Sequence, residues 1–139
     1  MGVILDTSVL VAAERGRLTF SAIARTAADA PLYVAPPVVA ELMYGVIRAK
    51  DPVLRVRRAA FATTLTMTRP CLPIDEATGE MFARVSASLD NQGRPATHRA
   101  NDLWIAALAL QHGMKVMTLN AKDFTDILGL AVLAPVAGR

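Results

Sequence analysis

The chain is poor in the groups on which much hydrolytic and redox chemistry depends. In 139 residues it has one cysteine, Cys71, and two histidines, His98 and His112. One cysteine excludes an internal disulfide and fits a reducing compartment, so a cytoplasmic protein is expected. Cys71 has no evident histidine partner and reads as packed, while His112, beside Gly113, suits the end of a helix. Ser8 lacks both a histidine partner and the flanking glycines of a nucleophile elbow, which sets aside a serine-hydrolase triad. No apolar run reaches the roughly 18 residues of a membrane span. The longest candidates are broken by Pro36, Pro37 and Glu41, and by Asp102. No basic region precedes a long apolar core near the first residues, so no export signal is expected, and Asp6 stands where a myristoylation motif needs Ser or Thr. Internal repeats, linkers, low-complexity segments and hairpin signals are also lacking. One domain over residues 1–139 is expected.

What is abundant is apolar side chain, at 53% of the sequence. That excludes disorder and exceeds the need of one small core, so burial against a second subunit is expected. Val53, Leu54, Val56, Phe61 and Leu65 cannot all face a single core. The helix that carries them, or the one beginning at Pro37, is the expected seam of a homodimer. Net charge is +3, which permits an anionic partner without requiring one. Arg48, Lys50, Arg55, Arg57 and Arg58 lie close together and read as a solvated helix face rather than a nucleic-acid contact.

Short apolar runs alternate with helical patterns. Strands are expected at Gly2 to Leu5, Leu32 to Ala35, Lys115 to Leu119 and Leu130 to Leu133, with a brief extended piece at Leu72 and Ile74. Helices are expected over Thr7 to Arg15, Thr19 to Ala28, Pro37 to Ala49, Pro52 to Thr68 after an Asp51 cap, the stretch from Asp75 to Asn91, and from Asn101 to a stop at Gly113, with a short turn over Asp123 to Leu128. Residues 91–95, Asn-Gln-Gly-Arg-Pro, are the clearest loop. The alternation implies an α/β sandwich around a mostly parallel sheet flanked by helices. Ligands of such folds bind beyond the carboxyl ends of the strands.

Four acids stand at that edge. Asp6 ends the run Val3-Ile4-Leu5. Glu41 lies beside the apolar stripe Val38, Leu42 and Gly45 of the helix from Pro37. Asp102 opens a helix that is apolar nearly all round; Asn101 is a plausible cap there, which frees Asp102. Asp123 follows the strand before Thr118 and Asn120. Each has an ordinary explanation as a cap, a turn former or a surface ion pair. Together they repel unless a cation sits between them. Oxygen ligands without His or Cys favour Mg²⁺ or Mn²⁺ over zinc. Such a centre activates water and offsets the charge of phosphodiester cleavage.

The segments "ILDTSVLVA", "VVAELMYGV", "NDLWIAALAL" and "TLNAKDF", in this order, resemble the motifs of PIN-domain ribonucleases, and within these the VapC-type toxins of bacterial toxin–antitoxin pairs. The resemblance spans nearly the whole chain. It implies a PIN-like three-layer sandwich, a Mg²⁺- or Mn²⁺-dependent endoribonuclease acting on RNA, a homodimer, and a VapB-type antitoxin whose tail enters the acidic site. Asp6, Glu41 and Asp102 match the three core acidic positions. Members differ in whether a fourth acid directly precedes the Phe or lies three residues earlier, so it falls on Asp123, with Asn120 its neutral neighbour. Ser8 matches a small hydroxyl that helps hold the metal or its waters. In "PATHRAN", His98 and Arg99 read as an exposed loop pair.

Other readings fit less well. A haloacid-dehalogenase-type phosphatase needs a second Asp where Ser8 stands, and a receiver domain needs a lysine beyond a strand end, whereas Lys115 precedes its strand. A housekeeping RNA-processing nuclease remains an alternative. So does a silent module that uses the acidic pocket to hold a basic peptide.

Overall fold

The computed structural model describes residues 1–94 and 99–136; His98 lies outside them. In chain order the elements are β1 (Val3–Leu5), α1 (Thr7–Glu14), α2 (Phe20–Thr26), β2 (Leu32–Tyr33), α3 (Pro36–Arg48), α4 (Pro52–Thr68), α5 (Glu76–Asn91), α6 (Ala100–His112), β3 (Lys115–Met117), a 3₁₀ turn (Ala121–Asp123) and β4 (Val132–Leu133). Among the described residues the four strands form one sheet in the order β2-β1-β3-β4, every pair parallel. Val3 aligns with Leu32 on one side and Lys115 on the other. This is the expected α/β sandwich, with six helices flanking the sheet.

The strands are shorter than the sequence suggests because each gives way early to a helix or turn. β2 ends at Tyr33, and Ala35 is extended ahead of Pro36, as a residue before proline must be. Val34 instead bridges to Cys71: its N–H donates to the Pro70 carbonyl at 3.0 Å and its carbonyl accepts from Leu72 N–H at 3.0 Å. The segment around Cys71 thus lines the outer side of β2. Cys71 is exposed there rather than packed as expected.

The core lies between this sheet and its helices. Val3, Ile4 and Leu5 are buried on both faces, as a central parallel strand requires. Leu103, Ile105, Ala106, Leu108 and Ala109 bury α6 nearly all round against β1 and β3. α5 covers α6, with the rings of Phe82 and Trp104 4.1 Å apart. Asp51 and Asp75 cap α4 and α5 as expected, while Thr19, expected inside the second helix, caps α2 instead. Gly113 ends α6 in the left-handed conformation.

One further expectation changes. The basic cluster is not simply a solvated face. Arg58 Nη1 donates to the Gly45 carbonyl at 3.0 Å, Arg55 Nε to the Ala49 carbonyl at 2.9 Å, and Arg57 pairs with Glu14 at 3.3 Å. These arginines pin α4 to α3 and α1. Of the five apolar residues of α4 named from the sequence, Leu65 is buried and Leu54 and Phe61 are partly covered, while Val53 and Val56 stay exposed, as a set that cannot all face one core should be. Among the described residues no helix is long and apolar enough to cross a membrane.

Phe124, directly after Asp123, is fully buried and anchors the 3₁₀ turn to the core. Phe124→Ala is expected to lower the unfolding free energy by about 3–5 kcal/mol in urea titrations; a loss under about 1 kcal/mol would show that the turn is not held by this ring.

Candidate active site

Asp6 leaves β1 at the carboxyl edge of the sheet. Its N–H donates to the Met117 carbonyl at 2.9 Å, which extends the ladder by one residue, and its own carbonyl accepts from Val9 N–H at 3.1 Å to start α1. It therefore occupies the N-cap position, yet its carboxylate makes no capping bond. Oδ2 accepts instead from Ser8 Oγ at 2.9 Å and Thr118 Oγ1 at 2.8 Å. Both hydroxyls are fixed in turn, since Ser8 Oγ accepts from Leu119 N–H and Thr118 Oγ1 from Asn120 N–H, each at 3.0 Å. Asp6 is only 6% exposed. Among the described residues no hydrogen bond reaches Oδ1, which leaves that oxygen available to a ligand.

Glu41 lies on the exposed side of α3, and its Oε1 accepts from Thr7 Oγ1 at 3.0 Å. That bond ties α3 to the first residue of α1. Asp102 stands half-buried in the first turn of α6. Burial pushes its pKa up to about 6, and the negative charges of Asp6, Asp123 and Glu41 push in the same direction, against a smaller pull from Arg99. Asp102 thus feels the charge of the other three acids named from the sequence. Asn120 contributes its backbone N–H and makes no side-chain cap.

Asp123 ends the 3₁₀ turn, half-buried. Its carbonyl accepts from Arg99 Nη2 at 2.6 Å, and the same guanidinium forks onto Asp126, with Nη1 2.9 Å from Oδ2 and Nη2 3.0 Å from Oδ1. These bonds hold the Asp126 carboxyl below the ordinary range, with Arg94 adding a longer contact at 3.8 Å. Arg99 is therefore half-buried and bound, not part of an exposed loop pair. It also occupies the N-cap position of α6, which displaces Asn101 from the capping role the sequence suggested. Sequence reasoning missed Thr118 as the partner of Asp6, Thr7 as the partner of Glu41, and the Arg99–Asp126 pair. A Thr at a strand end is a weak signal for the first. The Arg–Asp pair, 27 residues apart, has no local signature.

Among the described residues no three His, Cys, Asp or Glu side chains form a ready-made ion cage. The donors suit a hydrated hard cation instead. Magnesium keeps several waters and takes only one or two carboxylates from a protein. The free Oδ1 of Asp6 and the crowded Asp102 are oxygens that such an ion satisfies, with Glu41 and Asp123 within electrostatic reach of Asp102.

The PIN-domain family model matches residues 3–128. Ribonuclease VapC1 of Rickettsia felis is 35% identical over 133 residues, 96% of each chain. The crystal structure of VapBC-5 from Mycobacterium tuberculosis superposes with a TM-score of 0.73 at 30% identity, over 97% of this chain and 98% of that one. VapBC2 from Rickettsia felis, solved bound to a promoter DNA fragment, reaches a TM-score of 0.83 at 20% identity, over 96% and 98% of the two chains, a likeness of fold.

The raised value of Asp102 sets a pH dependence. Its folded value lies above that of an unfolded aspartate, so the folded chain binds this proton more tightly and gains stability as pH falls through about 6. In chelator, the melting temperature is expected to rise between pH 7 and pH 5, and Asp102→Asn should lose that rise. Identical pH profiles for the two chains would contradict the crowding.

Proposed function

The chain belongs to the VapC ribonucleases of the PIN-domain family, and on that premise we propose that it is a cytoplasmic endoribonuclease, the toxin of a VapBC-type toxin–antitoxin pair, which hydrolyses RNA phosphodiester bonds with Mg²⁺ or Mn²⁺. The observation that supports this most is the convergence of Asp6, Glu41 and Asp123 on Asp102. Asp6, Glu41, Asp102 and Asp123 hold the ion. The crowding of Asp123, absent at neutral Asn120, favours Asp123 as the fourth acid. The chemistry such an ion supplies is Lewis acidity toward water and toward the phosphate oxygens.

The chain's own residues do the rest. Ser8 and Thr118 hold Asp6 Oδ2, so that Oδ1 faces the site in one orientation. Thr7 fixes Glu41. Arg99 sets the 3₁₀ turn against the start of α6 and so sets the spacing of Asp123 from Asp102. With no side-chain nucleophile called for, attack by water leaves a 5′-phosphate and a 3′-hydroxyl.

The partner follows from the same surface. A hollow of about 150 Å³ between α1, α3 and α4 is lined by Val11, Leu42, Gly45 and Phe61 and reaches Glu41. Phe61 also lines a second hollow of about 270 Å³ with Phe20 and Leu65. An antitoxin helix with an apolar face suits this groove, and an arginine in its tail would meet the carboxylates with a planar fork. The exposed Ile47, Val53 and Val56 at the α3–α4 corner give the homodimer its seam. A housekeeping nuclease would share the chemistry without the antitoxin. A silent binding module would lack cleavage altogether.

Asp6→Asn is expected to reduce cleavage of a synthetic oligoribonucleotide by at least about 100-fold, since the ion loses an anchoring carboxylate, with the melting temperature in chelator unchanged or raised. End-labelled products of the unaltered chain should carry 5′-phosphates; 2′,3′-cyclic phosphates would sink the water mechanism.

A further inference from the structure

Aromatic side chains are few, one Trp, two Tyr and four Phe. Nearly all are absorbed by the fold. Phe82 packs on Trp104 and Phe20 on Phe61, Phe124 is buried, and Tyr33 lies against the core. Tyr44 is different: it is 60% exposed and has no aromatic neighbour among the described residues. It stands on α3 one turn beyond Glu41. Its hydroxyl accepts from Arg48 Nη1 at 2.8 Å, and the Arg48 guanidinium carbon lies 5.4 Å from the ring centroid. That arginine grips the hydroxyl and brings its positive charge over one face of the ring, so a base would use the other.

Tyr44 lines an open hollow of about 430 Å³ together with Thr7, Ala40, Glu41 and Asn101. The hollow therefore adjoins one carboxylate of the site, Glu41, and the residue next to another, Asp102. Asn101 is exposed and, with Arg99 in the N-cap position, its side chain makes no cap. A flat ring, a carboxamide with both donor and acceptor, and a guanidinium thus meet beside the acids. Unstacked RNA bases are recognised by such a set, through stacking on an aromatic face and hydrogen bonds at the base edge.

We propose that Tyr44 and Asn101 form a nucleobase subsite, in which a base neighbouring the scissile phosphate stacks on Tyr44 and presents its edge to Asn101. The inference rests on the ribonuclease reading above and names a part of the site that the four acids do not supply. Arg48 steadies the ring and offsets the charge of the attached phosphate. The carboxylates act on the phosphodiester whatever the base; the subsite makes the chain prefer one nucleotide at a fixed distance from the cut.

Binding of a labelled single-stranded oligoribonucleotide is measured by anisotropy in the Asp6→Asn background, and cleavage in the Asp6 chain. Tyr44→Ala should weaken binding and lower kcat/KM by about tenfold. Tyr44→Phe, which keeps the ring but loses the Arg48 bond, should keep most of both, and Tyr44→Leu, which keeps apolar bulk without a ring, should lose as much as Tyr44→Ala. One abasic nucleotide, moved along the RNA, should at a single position abolish the difference between Tyr44→Ala and the Tyr44 chain. Asn101→Ala should level the rates among the four bases at that position. A Tyr44→Ala chain that binds and cleaves normally overturns the subsite while leaving the nuclease reading in place. Tyr44-dependent binding without any cleavage keeps the subsite and removes the nuclease reading. Absence of both binding and cleavage overturns both. Light scattering that finds Tyr44→Ala shifted to a smaller mass would assign the ring to the seam between copies and overturn the proposal.

Discussion

Repulsion among carboxylates at the edge of a parallel sheet is the constraint the rest of the molecule answers to. Asp102 bears its mark: burial first, and then the charges of Asp6, Asp123 and Glu41, push its pKa up to about 6. Left to side-chain freedom, these groups would swing apart into water. Each is held by something outside its own charge. Asp6 has two hydroxyl donors and a ladder bond, Glu41 has Thr7, and the turn of Asp123 is clamped by Arg99. Arg99 eases Asp102 only weakly, since it forks onto Asp126 instead. The site therefore keeps its negative potential rather than neutralising it internally, which is the condition for taking up a cation or an arginine from outside.

The fold supplies what holds such a site together. β1 is apolar on both faces and α6 is apolar nearly all round, so Asp6, directly after β1, and Asp102, in the first turn of α6, both stand on elements anchored in the core. A parallel register brings the ends of β1 and β3 to the same edge, and Thr118 reaches Asp6 across 112 residues of sequence. Phe124 does the same for the turn after Asp123. Stability is concentrated beneath the acids, while the binding surfaces lie on α3 and α4, where apolar side chains remain exposed. The division suits the proposed function, in which RNA, an inhibitor and a second copy would all be met on that surface.

Much of this could be read locally. The run Val3-Ile4-Leu5 stopping at Asp6, the caps Asp51 and Asp75, and the stop at Gly113 are short-range signals, and all of them hold in the structure. The four acids were visible because each sits against a pattern that a strand end or helix start makes clear. What could not be read depends on distant partners. Asn101 and Arg99 compete within one turn for the start of α6, and the outcome follows from the bond of Arg99 to Asp126. Cys71, without an evident histidine partner, read as packed, yet it lies exposed on the outer side of β2. The arginines of α4 looked solvated because their acceptors, the carbonyls of Gly45 and Ala49 and the carboxylate of Glu14, come close only at the α3–α4 corner and against α1.

A titration of the metal-free chain with Mn²⁺ at pH 6, run in two buffers of different ionisation enthalpy, tests the central claim most directly. If the four acids are one site and Asp102 shares in holding the ion, binding must displace the proton that crowding keeps on Asp102. The account predicts release of roughly half a proton per ion at pH 6, falling toward zero at pH 8 and absent in Asp102→Asn. Binding with no proton release at pH 6, or no binding at all, would contradict it.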